Sequence, residues 1–121
     1  IGRGEADLRC GAHMPTDPEA ARALLAAGAA PDQTHNNCSG KHAGFLTLAG
    51  HLGAGPDYLA PEHPVQRAVA ATWAELTGDG SPGHAVDGCS APNHATTLRD
   101  LARAMASFAE AEGRGGARAE A

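Results

Sequence analysis

Three glycines, Gly28, Gly53 and Gly78, each close a stretch of helical apolar spacing. With starts expected at Pro18, Ser39 and Pro64, the helices they close run only about three or four turns. The first helix begins at Thr16-Asp17-Pro18-Glu19, where Asp17 can cap, Pro18 suits the first helical position and Glu19 complements the dipole. Its apolar face is Leu24 and Leu25. After a loop from Pro31 to His35, Asn36 or Asn37 can cap a second helix from Ser39 to about Leu52. His63-Pro64 opens the most regular helix, with Val65, Ala68, Val69, Thr72, Trp73 and Leu76 at core spacing and His63 as its cap. Ala85-Val86-Asp87 is the one short strand expected, with Gly88 turning the chain and Ala91-Pro92 preventing its continuation. Asn93 is expected to cap a last helix whose core face is Leu98, Leu101, Ala102, Met105 and Phe108. Residues 1–14 are irregular. The class is α+β, mostly helical.

Only 3% of the residues are aromatic, so a core must be built from Ala, Leu and Val. That is thin for a free-standing domain, and the expectation is a central part of a larger one over residues 1–112, with a disordered tail over 113–121. A net charge of −5 with the two signs interspersed argues against binding nucleic acid by phosphate neutralisation. No apolar run approaches a membrane span and no signal peptide is visible. Three widely spaced cysteines, Cys10, Cys38 and Cys89, do not make a disulfide framework and fit a reducing cytoplasm.

The chemistry is concentrated in His35-Asn36-Asn37-Cys38-Ser39-Gly40-Lys41-His42 and in Asp87-Gly88-Cys89-Ser90-Ala91-Pro92. Lys41 is the only lysine beside eight arginines, and lysine, unlike arginine, can lose its proton. Cys38, Lys41 and Phe45 share one face of the second helix at its positive end, which should favour a Cys38 thiolate and lower the pKa of Lys41. If the fold joins the two stretches, Cys38 and Cys89 with one nitrogen ligand would make a zinc site with a position left open. Nearby nitrogen donors are His35, Lys41, His42 and His94, and spacing alone favours His42 over Lys41. Cys10 reads as a small buried hydrophobe lying apart from that pair. Other chemistries fall away. A phosphate-binding loop lacks its first Gly and its final Ser or Thr around Gly40-Lys41. Ser39, Ser81, Ser90 and Ser107 are followed three residues later by His42, His84, Asn93 and Glu110, so no Ser-x-x-Lys pair exists here. A triad from a Ser, a His and Asp87 is composable from almost any sequence.

These two stretches, with His63-Pro64-Val65-Gln66 and Leu8-Arg9-Cys10-Gly11, resemble the asparaginase II family, the rhizobial-type thermolabile L-asparaginases. The resemblance runs to about Ala109. It implies a fold like the serine β-lactamases and penicillin-binding proteins, and hydrolysis of L-asparagine to L-aspartate and ammonia. It also implies a zinc ion held by Cys38, Lys41 and Cys89, with Asp87 positioning substrate or water. A cytoplasmic enzyme, homodimeric when intact, with no nucleic-acid or membrane partner is the corresponding expectation. The family's nucleophile lies on a Ser-x-x-Lys motif that matches nothing in this chain. Two rival readings are a small non-catalytic zinc-binding module and a β-lactamase-like serine acyl hydrolase of other specificity.

Overall fold

The computed structural model describes residues 2–80 and 83–111. The expected tail over 113–121 lies outside them. Among the described residues there are four α-helices: α1 (Pro18–Ala26), α2 (Ser39–His51), α3 (Pro64–Thr77) and α4 (Leu98–Ala109). Two short strands, β1 (His84–Val86) and β2 (Pro92–His94), form a two-stranded sheet. They are antiparallel, framed by Asp87 N–H on the Ala91 carbonyl and Ala95 N–H on the Gly83 carbonyl. The architecture is therefore helix-rich α+β. No helix among the described residues is long and apolar enough to cross a membrane.

The helix punctuation follows local chemistry. Asp17 caps α1 by accepting the Ala20 N–H at 2.8 Å, and His63 Nδ1 accepts the Val65 N–H at 3.2 Å at the start of α3. Gly28, Gly53 and Gly78 all take positive φ just past a helix end, where a Cβ would be costly. Two expectations fail at the hairpin and after it. Asn93 lies in β2, and Thr97 caps α4 instead through the Asp100 N–H. Pro92 starts a second strand rather than preventing one, because the first residue of a strand need not donate.

The chain divides into two compact units. The first comprises, of the described residues, 2–67 and 86–92. Its core is Leu8, Cys10, Leu46, Ala49, Tyr58, Val65, Cys89 and Ala91, with Cys38, Phe45, Leu48, Ala54 and Leu59 packed against it. The tip of the hairpin thus belongs to this core. Removing each such side chain from water contributes on the order of 1.5–3 kcal/mol for the larger ones.

The second unit comprises, of the described residues, 68–80, 83–85 and 93–111. In it Trp73 packs on His94 at a ring separation of 6.2 Å, and His94 meets His84 edge-on at 5.9 Å. The apolar stripe of α4 departs from expectation. Leu98 is 87% exposed, Met105 59% and Phe108 45%, whereas Ala104 is the buried position. Helical spacing establishes that a stripe exists, and burial depends on what else is there to cover it. Leu25 of α1 is exposed for the same reason.

Candidate metal centre

Two backbone devices deliver the site. At the start of α2, Asn36 is buried and its side chain works in both directions. Its Oδ1 accepts the Cys38 N–H at 2.8 Å, and its Nδ2 donates to the Gly11 carbonyl at 2.7 Å. The helix cap position falls to Cys38, which makes no side-chain cap bond. An asparagine two residues upstream closes an Asx turn more readily than it caps, so it orients Cys38 rather than the helix N–H groups.

The second device is the loop between β1 and β2. Ser90 N–H bonds the Asp87 carbonyl at 2.9 Å, and Asp87 N–H returns to Ala91 at 2.8 Å. The left-handed residue of this turn is Ser90, at φ 74°, and not Gly88 as expected. A serine in that region is strained. The turn sets Asp87 and Cys89 side by side at its tip.

These devices bring together Cys38, Asp87 and Cys89, whose ligand atoms all lie within 4.8 Å of one another. Lys41 closes the group. Its Nζ donates to Cys89 Sγ at 3.1 Å and to Asp87 Oδ2 at 3.3 Å. The Cys89 thiol also reaches Asp87 Oδ2 at 3.5 Å. Asp87 is steadied by its own loop, accepting the Gly88 N–H at 2.6 Å. Cys89 is buried, Cys38 and Asp87 are half-buried, and the Lys41 side chain is 39% exposed.

The electrostatics differ from those expected of an isolated helix start. Burial raises the Cys38 thiol, helped by its hydrogen bond with Cys89 and opposed by the charge of Lys41. Burial alone would lower Lys41, yet the hydrogen bonds it donates to Cys89 and Asp87, with negative charge at Cys89 and Cys38, outweigh it, and the amine rises. The dipole argument for a lowered lysine is overturned by these neighbours. Asp87 is lowered, first by the Gly88 N–H, then by Cys89 and Lys41. Lys41 and Asp87 face each other as an ion pair at 3.3 Å.

Of the histidines adjacent in sequence, none joins the group among the described residues. His42 is fully buried, and its Nδ1 is hydrogen-bonded to Tyr58 Oη at 2.8 Å, while Tyr58 Oη accepts the Arg9 N–H at 2.8 Å. Burial, then Lys41, holds His42 below its ordinary value. His35 closes a turn with Asp32, whose N–H it accepts at 3.1 Å. His94 is placed with Trp73 and His84.

Cys10 is buried as expected, and its sulfur is not part of the group of Cys38, Asp87 and Cys89. It shares the core with Cys89, and its thiol donates to the Gln33 carbonyl at 3.5 Å. Sequence reasoning missed Tyr58, whose hydroxyl joins Arg9 to His42. The available signal was its being the only tyrosine, since a buried tyrosine usually finds a hydroxyl partner.

The donor set suits zinc. Two thiolates on one tetrahedral zinc at about 2.3 Å stand about 3.8 Å apart, so the cluster needs only small adjustments to accept the ion. Asp87 supplies an oxygen donor of the kind zinc also takes. No curated protein matches the chain. A sequence model described as L-asparaginase II matches residues 1–121. The chain belongs to the L-asparaginase II family.

Proposed function

We propose that this chain carries the metal-holding part of a cytoplasmic L-asparaginase of serine β-lactamase-like fold, which hydrolyses L-asparagine to L-aspartate and ammonia. The observation that supports it is the convergence of the sole lysine on Cys89 at 3.1 Å, within a group that also holds Cys38 and Asp87. In this reading Cys38, Lys41 and Cys89 bind zinc, and Lys41 does so as the neutral amine. Bound zinc would supply a fixed positive charge that orients substrate and tunes nearby charge. Asp87, with its carboxylate 39% exposed and ionised, is the acceptor that positions an ammonium group of the substrate or a water.

The nucleophile is not among these residues, because no serine here is followed three later by lysine. A serine activated by lysine, supplied by another segment, would attack the side-chain amide. Ammonia release from L-asparagine is the test. A protein joining this chain to its Ser-x-x-Lys segment should release ammonia, and the 121-residue chain alone should not exceed the uncatalysed rate. Protein-dependent turnover by the chain alone would place the nucleophile within these residues. Zinc retention with no turnover by the joined protein on any amide would favour a non-catalytic zinc-binding module. Turnover on other acyl substrates alone would favour a serine acyl hydrolase of different specificity.

A further inference from the structure

We propose that Cys38 and Cys89 are an oxidative modification site: without metal they close to a disulfide, so that metal occupancy and oxidation exclude each other. The two sulfurs lie within 4.8 Å, and a disulfide needs about 2.04 Å, so each must travel only a fraction of a side-chain rotation. Neither cysteine is inside a helix or strand. Cys38 occupies the cap position at φ −97°, ψ 6°, and Cys89 sits in the strained hairpin loop, so both backbones can adjust. Access differs between them. Cys38 is half-buried whereas Cys89 is 3% exposed, so an oxidant reaches Cys38 first and finds Cys89 behind it.

The step balances with a peroxide as oxidant. The Cys38 sulfur attacks one peroxide oxygen, the O–O bond breaks, and Cys38 becomes a sulfenic acid with release of water or alcohol. The Cys89 sulfur then attacks Cys38 Sγ, expelling the sulfenic oxygen as a second water and forming the S–S bond. Both electrons pass from sulfur to the peroxide. Cys10 stands by, since its thiol is turned to the Gln33 carbonyl. The exclusion half of the proposal rests on the zinc reading above, because the disulfide removes the two thiolates that would bind the ion.

Trypsin separates the three cysteines into peptides 10–22, 23–41 and 68–99, so mass spectrometry identifies each pairing. In an unfolded chain loop closure favours Cys10–Cys38, the shorter loop, over Cys38–Cys89 by about two- to threefold. With one equivalent of hydrogen peroxide, the folded metal-free chain should reverse that order and give mainly the 23–41/68–99 link. In denaturant the shorter loop should return. Cys10→Ala should leave the native link unchanged, and Cys89→Ser should divert Cys38 to sulfinic acid. Prior loading with one equivalent of zinc, verified by elemental analysis, should slow the link at least about tenfold. A dominant Cys10 link in the folded chain, or sulfinic acid at Cys38 with Cys89 intact, overturns the disulfide. Retained zinc with an undiminished rate overturns the exclusion. Failure to retain zinc counts against the metal reading alone, and the metal-free comparison still decides the disulfide.

Discussion

The Lys41 amine sits 3.1 Å from the Cys89 sulfur, although the two residues are 48 apart in the chain. His42, its immediate neighbour, is turned away into the core and committed to Tyr58. One residue of helix rotates a side chain by about 100°, and that rotation decides which nitrogen can meet the thiols. Lys41→Arg keeps charge and reach but offers no lone pair, so zinc retained after dialysis against a weak chelator should fall at least tenfold. His42→Ala should bind zinc as the parent does at temperatures where it remains folded. Elemental analysis showing the reverse pattern would make His42 the ligand.

Tyr58 is fully buried and satisfies two groups through one hydroxyl. Tyr58→Phe keeps the ring packing and leaves the Arg9 N–H and His42 Nδ1 without their partner. The expected loss is about 1–3 kcal/mol in urea unfolding, since each buried group then bears its own desolvation cost. An unchanged midpoint at unchanged slope would mean that the relay adds nothing to the fold.

The hairpin loop carries its strain at Ser90, with φ 74°, and not at Gly88. Ser90→Gly should stabilise the chain by about 1 kcal/mol, and a Cβ at Gly88 meets nothing within 4 Å, so Gly88→Ala should be near neutral. Gly78→Ala should destabilise, because φ is 76° and the new Cβ would come 2.7 Å from Arg103 Nη1. Thermal melts of the three variants give the order directly, and a destabilised Ser90→Gly would contradict it.

At the start of α4, Thr97 Oγ1 donates to Asp100 Oδ2 at 2.5 Å and accepts the Asp100 N–H at 3.1 Å. Thr97 first, then Arg99, holds the Asp100 carboxyl below its usual 3.8. A folded value below the unfolded one stabilises at higher pH, so the contribution is present above about 3.8 and disappears as pH falls through the lower folded value. Amide exchange in the first turn of α4 should therefore accelerate on acidification below that point. Thr97→Ala should cost about 1 kcal/mol at neutral pH and flatten this dependence.

The caps of α1 and α3 and three helix stops were legible in the sequence because they are relations over one turn. Asp17, His63 and the three glycine stops need only neighbours a few residues away. The candidate chemistry was legible for a compositional reason, one lysine placed beside a cysteine and a histidine. Tertiary structure alone decided which of those groups meet. Lys41 and Asp87 are 46 residues apart, and their approach depends on the hairpin tip packing into the core around Tyr58. The same dependence hid the second strand, which exists only because β1 lies beside it. It also turned the apolar stripe of α4 outward, since periodicity marks a face and only a packed neighbour can bury it. The ionisation of Lys41 belongs with these, because desolvation and partner charge act through space and their balance has no sequence signature.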